Sequence, residues 1–452
     1  MYLAYNVNVL NVLAIGFFLF SVARFYNRHT EYFLVLSIIF IYWIQLVISS
    51  AYIETGVYLK DIGVRSYPTG VTLRLVCMLE LFLIVFSVVA SRLSKIDVPR
   101  AFSGRAYDET WWIRFVLICI FAYRLVDVLI SGNIVTNPSL NRFNYYEMFS
   151  KLPFASVIDY FSYPLMWVCG LFFALGKGRQ KAVPLLIFVF NCLTMYLRGI
   201  EFGGYLQCAV YFFVPVLIPM AKRNKLIKPK YIAFATLAIA LMLVPKYMHF
   251  SDALDNNEAD TSYGLNTAGD FLLYRALAQE ADLTWEIDRQ IVENGTIDPS
   301  RMSDELALMA GDSKTISSTQ YLMNRGCSPS ALIIYSYSSA AVTGGYPVLW
   351  AAILGYPFCA VPIIIDSICI ILVARCIWTG IAKVKLFRLL SAAYLLCQYH
   401  TIVMSADMSS LGNLLPHIFI LYLLLFGWDK KVTFPVTQLP AKGRDFDEAS
   451  YC

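Results

Sequence analysis

Apolar positions along this chain gather in blocks of about 20 residues, the length at which a helix crosses a bilayer. The blocks fall at 7–24, 31–53, 71–92, 111–131, 154–176, 183–200, 203–221, 230–247, 346–375, 388–405 and 411–428. The ninth contains Pro347, Pro357 and Pro362, so a kinked long helix and a re-entrant hairpin both remain open. The pattern predicts an all-α polytopic membrane protein with about 11 transmembrane helices. The N-terminus has no basic region before its first apolar block and no small-residue cleavage site after it, so the first block is expected to be a retained helix.

One long polar stretch interrupts the blocks, at 248–345. It opens with the acidic SDALDNNEADTSYG. An amphipathic helix is then predicted from Leu265 to Val292, stopped by Asn294-Gly295. Asp298-Pro299 begins a shorter helix through Met309, ended by Gly311. Neither helix is long enough to build its own core, so the stretch is expected to fold over the span ends as a lid. The predicted organisation is therefore helices one to eight over 1–247, a helical lid over 248–345, helices nine to eleven over 346–428, and a flexible tail over 429–452.

Basic residues give the direction, because cytoplasmic loops collect Lys and Arg. One alternating set of short connections holds Arg24 and Arg28; Arg92, Lys95, Arg100 and Arg105; Lys177, Arg179 and Lys181; Lys222, Arg223, Lys225, Lys228 and Lys230; and Lys383, Lys385 and Arg388. The other set is sparse. The N-terminus is thus expected outside, the C-terminus inside and the lid outside.

Composition narrows the class further. Of 452 residues, 58% are hydrophobic and 15% charged, against about 45–50% and about 25% in soluble domains. That excludes a soluble enzyme, a disordered chain and a secreted disulfide scaffold. The net charge of +5 sits at segment ends and gives no reason to expect nucleic acid. Nine of the 11 cysteines lie inside apolar runs, where Cys acts as a small hydrophobe.

Ionisable groups at membrane depth are costly, and their positions carry the most information. With about 1.5 Å of rise per residue, most converge on the predicted outer leaflet. Arg74 starts span three. Arg124 and Asp127 lie near the end of span four, and Asp159 near the start of span five. Arg198 closes span six with Glu201 just beyond, and His400 lies near the outer end of span ten. Arg142, Arg275 and Arg325 join from outer loops, with Tyr145, Tyr146, Tyr274 and Trp285 as flat faces for sugar rings. Planar guanidinium groups bind phosphate oxygens in pairs, so an arginine-lined site suits a lipid-borne phosphate headgroup. Each residue also has a plainer role. Arg124 and Asp127, three apart on a helix, can pair with each other. Arg74 can snorkel to the interface, His400 can be a packed core histidine, and the tyrosines can be interfacial belt residues.

Four stretches together resemble the bacterial Wzy-type polysaccharide repeat-unit polymerases, which include the O-antigen and enterobacterial common antigen polymerases. They are NRFNYYEMFSK with FASVIDYFSYPLMW, then MYLRGIEFGGYL, then DFLLYRALAQEADLTW, then RGCSPSALIIYSYSSAAVTGGYP. The resemblance spans roughly residues 110 to 427 and brings in Arg142, Arg198 and Arg275. The chain departs from the family in lacking a glycine run before Arg198, and in having Asp407 but no Arg in its last outer loop, SADMSSLG.

The resemblance implies a membrane glycosyltransferase of the bacterial inner membrane with its active site facing the periplasm. Such an enzyme moves a growing glycan from undecaprenyl diphosphate onto the next lipid-linked oligosaccharide. Arg198, Arg142 and Arg275 would stabilise the leaving diphosphate, with Arg124, Arg325 and Arg74 assisting binding and the glycines beside Arg198 letting the headgroup approach. Glu201, Asp127, Asp159, Asp270 and His400 are candidates for the base that takes the acceptor proton. Neither metal nor cofactor is expected, since no D-x-D-type pair falls at the outer face. A chain-length regulator and a flippase are the expected partners. A related glycan ligase and a lipid-linked oligosaccharide flippase are the competing readings; the flippase would call for midplane charges and paired broken helices.

Overall fold

In the computed structural model, residues 2–93, 111–133, 136, 145–200, 202–221, 274, 277–338 and 344–426 are described. Span eight, at 230–247, and the tail lie outside them.

The described chain is helical apart from one two-stranded hairpin. In order run α1 (Tyr2–Arg28), α2 (Thr30–Val35), α3 (Ser37–Ile53), β1 (Tyr58–Leu59), β2 (Val64–Arg65), α4 (Val71–Arg92) and α5 (Trp111–Ser131). Next are α6 (Tyr145–Met148), α7 (Ala155–Tyr160), α8 (Ser162–Leu175), α9 (Ala182–Leu197) and α10 (Phe202–Ala221). The polar stretch contributes α11 (Asp282–Asn294), α12 (Arg301–Met309), α13 (Ser318–Gly326) and α14 (Pro329–Ser338). Then come α15 (Val348–Leu354), α16 (Ala360–Ala382), α17 (Leu386–Ser405) and α18 (Leu414–Phe426).

Asn8–Arg28, Val71–Arg92, Gly178–Leu197 and Ala360–Ala382 are each long and apolar enough to cross a membrane. Four shorter apolar helices, Ser37–Ile53, Ser162–Leu175, Gly203–Leu217 and Leu414–Phe426, accompany them.

Side-chain spacing explains how these helices pack. Helix α4 buries Leu75, Leu79, Phe82 and Phe86, steps of four, three and four that make one stripe. It exposes Leu73, Ile84 and Val88 on the other side. Helix α1 buries Ala14, Phe18, Val22 and Phe25 yet exposes Val12, Leu13, Phe17 and Phe20. In water such an apolar outer face would drive aggregation; in lipid it is solvated. Helices α1, α3, α4, α16 and α17 form one group, and α17 packs on α8, which leads to α10, α9 and α5. At the α8–α10 crossing a Cβ on Gly170 would strike the Phe212 carbonyl, so only glycine permits that approach.

Three spans differ from the sequence expectation. The second is divided at Leu36 into α2 and α3. The fifth is divided at Phe161 into α7 and α8. The ninth becomes the short buried α15, a break at Gly355 to Cys359, and then α16, which runs on to Ala382. The apolar block seemed to end at Arg375, but Arg375 is 5% exposed and α16 continues past it, so the helix carries the charge inward. The amphipathic lid helix predicted from Leu265 is described from Asp282; of 265–281 only residues 274 and 277–281 are described, and Asn294-Gly295 ends the helix with Gly295 left-handed at φ 63°.

Glu54, at the end of α3, caps α4. Its carboxylate accepts from the backbone N–H groups of Thr69 (2.9 Å), Gly70, Val71 (3.1 Å) and Thr72 (3.4 Å). Thr72 Oγ1 and Asn11 Nδ2 donate as well, at 2.7 and 2.8 Å. These are the orphan donors of a helix start, met here by a carboxylate that the helix dipole also favours.

The polar stretch is tied to this same end of the bundle. Trp285 is buried, and its Nε1 donates to the Tyr67 carbonyl at 3.2 Å. Thr319 Oγ1 donates to the Ser405 carbonyl at 2.9 Å, and Met408 N donates to Ser318 Oγ at 3.1 Å. His417 Nε2 lies 2.8 Å from the Met309 carbonyl. Asp282 lies near Asp61 of the hairpin loop. It also accepts from the Tyr274 hydroxyl at 3.1 Å and its neighbour's Leu283 N at 2.6 Å.

Burial, and then the Asp61 charge, hold the Asp282 carboxyl well above the ordinary carboxylate range. The folded state therefore keeps a proton that the unfolded chain loses above about pH 4. This contribution to stability is full below about pH 4 and is lost as pH rises through the folded-state pKa. Asp282→Asn, which mimics the protonated form, should flatten the fall in melting temperature between about pH 5 and pH 9. Thermal unfolding of the detergent-solubilised protein across that range checks it; an unchanged slope would contradict a raised Asp282 carboxyl.

Candidate functional site

A set of buried charges lies where α5, α7 and α9 meet. Asp159, on α7, accepts from both Arg124 of α5 and Arg198 at the end of α9, and both contacts fall on the same oxygen, Oδ1. Arg198 Nη1 is 2.7 Å from it. Arg124 also donates to Asn191 Oδ1 one helix over. Both arginines are nearly inaccessible, at 3% and 5%, while the Asp159 side chain keeps 20% exposure. Arg124 Nε and Arg198 Nε are buried without an acceptor among the described residues. Two cations thus share one carboxylate, and some of their donor capacity is unspent.

Aromatic rings close the group. The Arg198 guanidinium stands 4.6 Å from the Tyr146 ring centroid and 5.0 Å from that of Tyr145, a stacking geometry open to arginine. Burial, and then the Asp127 charge, push the Tyr145 hydroxyl up to about 12. Burial and the Asp159 charge push Tyr146 further in the same direction. Both tyrosines therefore stay neutral hydrogen-bond donors.

The sequence missed Asn191 as a member of this group. Its signal was present as a lone amide inside the apolar LIFVFNCLTMYL, where a side chain without a partner would be costly. Asn191 Nδ2 in turn donates to Cys208 Sγ at 2.9 Å, which links α9 to α10.

The pairing expected within α5 does not form. Asp127 instead accepts from Ser131 Oγ (2.9 Å), Ser150 Oγ (3.0 Å), Leu152 N (3.2 Å) and Tyr145 Oη (3.5 Å). It anchors the connection that carries Tyr145 and Tyr146, and Arg124 turns to Asp159 because that partner lies on the adjoining helix. Nor does Arg198 face open water, as a headgroup site of this kind suggests. It is the C-cap of α9, followed by Gly199 in the left-handed region at φ 71°. Of the two glycines beyond, Gly204 is needed for packing, since a Cβ there would sit 2.8 Å from the Tyr163 hydroxyl. Gly203 faces open space.

Other sequence candidates lie apart from this group. Arg74 does not snorkel. Its Nε donates to Asp288 Oδ1 at 2.8 Å and its Nη2 to Oδ2, a paired contact with α11 to which the Tyr356 hydroxyl adds at 2.7 Å. Arg325 donates to Gln290 Oε1 (3.1 Å), the Ala352 carbonyl (3.2 Å) and the Thr296 carbonyl, fastening α13 to its neighbours. Tyr274 is buried, with its hydroxyl between Asp282 and the Lys60 N–H, so it joins the polar stretch to the hairpin. His400 is buried on α17 at 4% exposure. Arg142, Arg275 and Glu201 lie outside the described residues. Among the described residues, no group of three His, Cys, Asp or Glu could hold a metal ion.

The chain matches no protein-family model, no curated protein and no solved structure. The functional reading rests on the residues themselves.

The Arg74–Asp288 pair gives a direct test of how α11 is held. Asp288 is 1% exposed, and removing one partner of such a pair leaves a buried charge uncompensated, at about 3 kcal/mol. Arg74→Met should lower the melting temperature by several degrees, and Arg74→Met with Asp288→Leu should recover most of the loss. A double variant as unstable as the sum of its parts would show that the two side chains do not depend on each other.

Proposed function

We propose that this chain is a polytopic inner-membrane glycosyltransferase, with about 11 spans and its N-terminus outside. In this reading it polymerises undecaprenyl-diphosphate-linked oligosaccharide repeat units at the periplasmic face. The observation that carries the reading is the convergence of Arg124 and Arg198 on one carboxylate oxygen, walled by Tyr145 and Tyr146. The alternation of basic loops puts that end of the helices outside, and the four-stretch resemblance supplies the reaction.

Transfer breaks the bond between the donor glycan and its diphosphate while an acceptor hydroxyl attacks the sugar. The departing diphosphate gains negative charge as the bond breaks, so cations fixed beside it stabilise the transition state more than the ground state. Buried guanidinium groups serve this well because their few neighbours screen them weakly and the protein has already oriented them. Arg142 and Arg275, carried by external segments, are the further cations of the proposal. Tyr145 and Tyr146, neutral and stacked on Arg198, can hold sugar hydroxyls near the bond that breaks.

The acceptor hydroxyl needs a base. The oxygens of Asp127 are taken by four donors, and Asp159 is shared by two guanidinium groups. Of the remaining candidates, Glu201, Asp270 and His400, this proposal takes Glu201, three positions beyond Arg198, as the base. No step calls for a metal ion.

Arg198 is the test residue. Lysine keeps its charge but loses the planar fork and the stacking surface, so Arg198→Lys should lower the polymerisation rate on the order of 10²–10³-fold. The readout is the glycan ladder on a gel from cells carrying the variant, with its membrane level checked by blot. A wild-type ladder at normal protein level would remove Arg198 from the site; loss of the protein itself would assign Arg198 to holding α9 in place.

A further inference from the structure

We infer that Asp159 is a built-in stand-in for the substrate's phosphate, occupying the arginine pair at rest and yielding it when a lipid-borne diphosphate arrives. The inference rests on the reading of this cluster as the diphosphate site and adds its regulation.

Three observations lead to it. First, Arg124 and Arg198 do not bind separate anions; both reach the same Oδ1 of Asp159, the way two cations grip one phosphate oxygen. Second, the trio is unbalanced. Two guanidinium groups face one carboxylate, and Arg124 Nε and Arg198 Nε remain without acceptors among the described residues although both side chains are more than nine-tenths buried. A diphosphate brings more charge and more oxygens than a carboxylate, and can use the donors that Asp159 leaves idle.

Third, Asp159 is the least enclosed of the three. It has the largest exposure, 20% against 3% for Arg124 and 6% for Arg198 by side chain. It rides on α7, six residues bounded by Phe154 in the left-handed region at φ 61° and by the joint at Phe161. Arg124 and Arg198, by contrast, are fixed to long helices and further held by Asn191 and by the two tyrosine rings. Phe154 and Val157, on the same segment, expose 76% and 54% of their surface. An apolar chain attached to the phosphate would therefore find lipid-like surface beside the arginines.

The resting carboxylate spares the chain two unpaired buried cations, and it makes binding conditional on displacement. If the arginines are vacant in only about one molecule in ten, the apparent affinity for an anion falls about tenfold, and removing the competitor restores it.

The test is a calorimetric titration of the purified protein in nanodiscs with inorganic pyrophosphate and with geranylgeranyl diphosphate. Asp159→Asn should bind pyrophosphate about tenfold or more tighter than wild type, Asp159→Glu should resemble wild type, and Asp159→Asn with Arg198→Lys should lose the gain. Geranylgeranyl diphosphate should bind tighter than pyrophosphate in each case. Should Asp159→Asn prove unstable, wild type alone decides: amide hydrogen exchange over 155–160 should rise when pyrophosphate binds. Equal or weaker binding by Asp159→Asn, no pyrophosphate binding at all, or slower exchange over 155–160 overturns the displacement. A prenyl tail that adds nothing overturns the lipid-borne ligand. The polymerase reading fails separately: if Arg198→Lys cells still make full-length polymer while the titrations behave as stated, the anion site stands and the polymerase does not.

Discussion

A charge taken out of water must find a partner, and in a chain this apolar there are few to find. That constraint organises the end of the bundle where the polar segments gather. Glu54 is met by four backbone donors at the start of α4, and Asp288 by Arg74. Asp159 is met by Arg124 and Arg198. Each of these contacts joins segments far apart in sequence, so electrostatic pairing does the positioning that loop packing does in a soluble protein. In the Asp159 group two cations face one anion, and the proposed function draws on that imbalance.

The described part of the polar stretch is held to several helix ends. Helix α11 is fixed by Asp288 to α4 and by Asp282, through Tyr274, to the hairpin loop, while α12 and α13 are fixed to the ends of α17 and α18. The described part of the polar stretch is therefore fastened at both sides of the bundle. In the proposed reaction such a cover keeps water from competing with the acceptor hydroxyl, and a glycan would grow past it. Movement is then asked of a smaller element, α7, whose six residues carry Asp159.

Much of the helix layout could be read from apolar block length, because about 20 residues is a demanding pattern that few other structures produce. What escaped that reading was local. The break between α7 and α8 has its signal in Pro164, in the first turn of α8, which has no N–H for the Tyr160 carbonyl and so interrupts the helix one turn upstream, at Phe161. The ninth block was cut short at Arg375, whereas α16 buries that charge and runs on to Ala382. At the site, Arg124, Asp159 and Arg198 were legible as charges at one depth, but their partnership was not. Arg124 and Asp127 are neighbours on a helix face, and only the approach of α7 decides that Asp159 takes the arginine instead. Asn191 was hidden by its apolar surroundings, which are the reason it matters.

The central claim is that guanidinium groups held by Asp159 release a lipid diphosphate as a glycan bond is remade. It is tested most directly by following both products at once in proteoliposomes that hold only this protein and a defined undecaprenyl-diphosphate oligosaccharide. The account predicts a glycan ladder in which each added repeat is matched by one molecule of undecaprenyl diphosphate freed, without added metal. Oligosaccharide that crosses the bilayer or binds the protein, with no ladder and no freed lipid diphosphate, would contradict it.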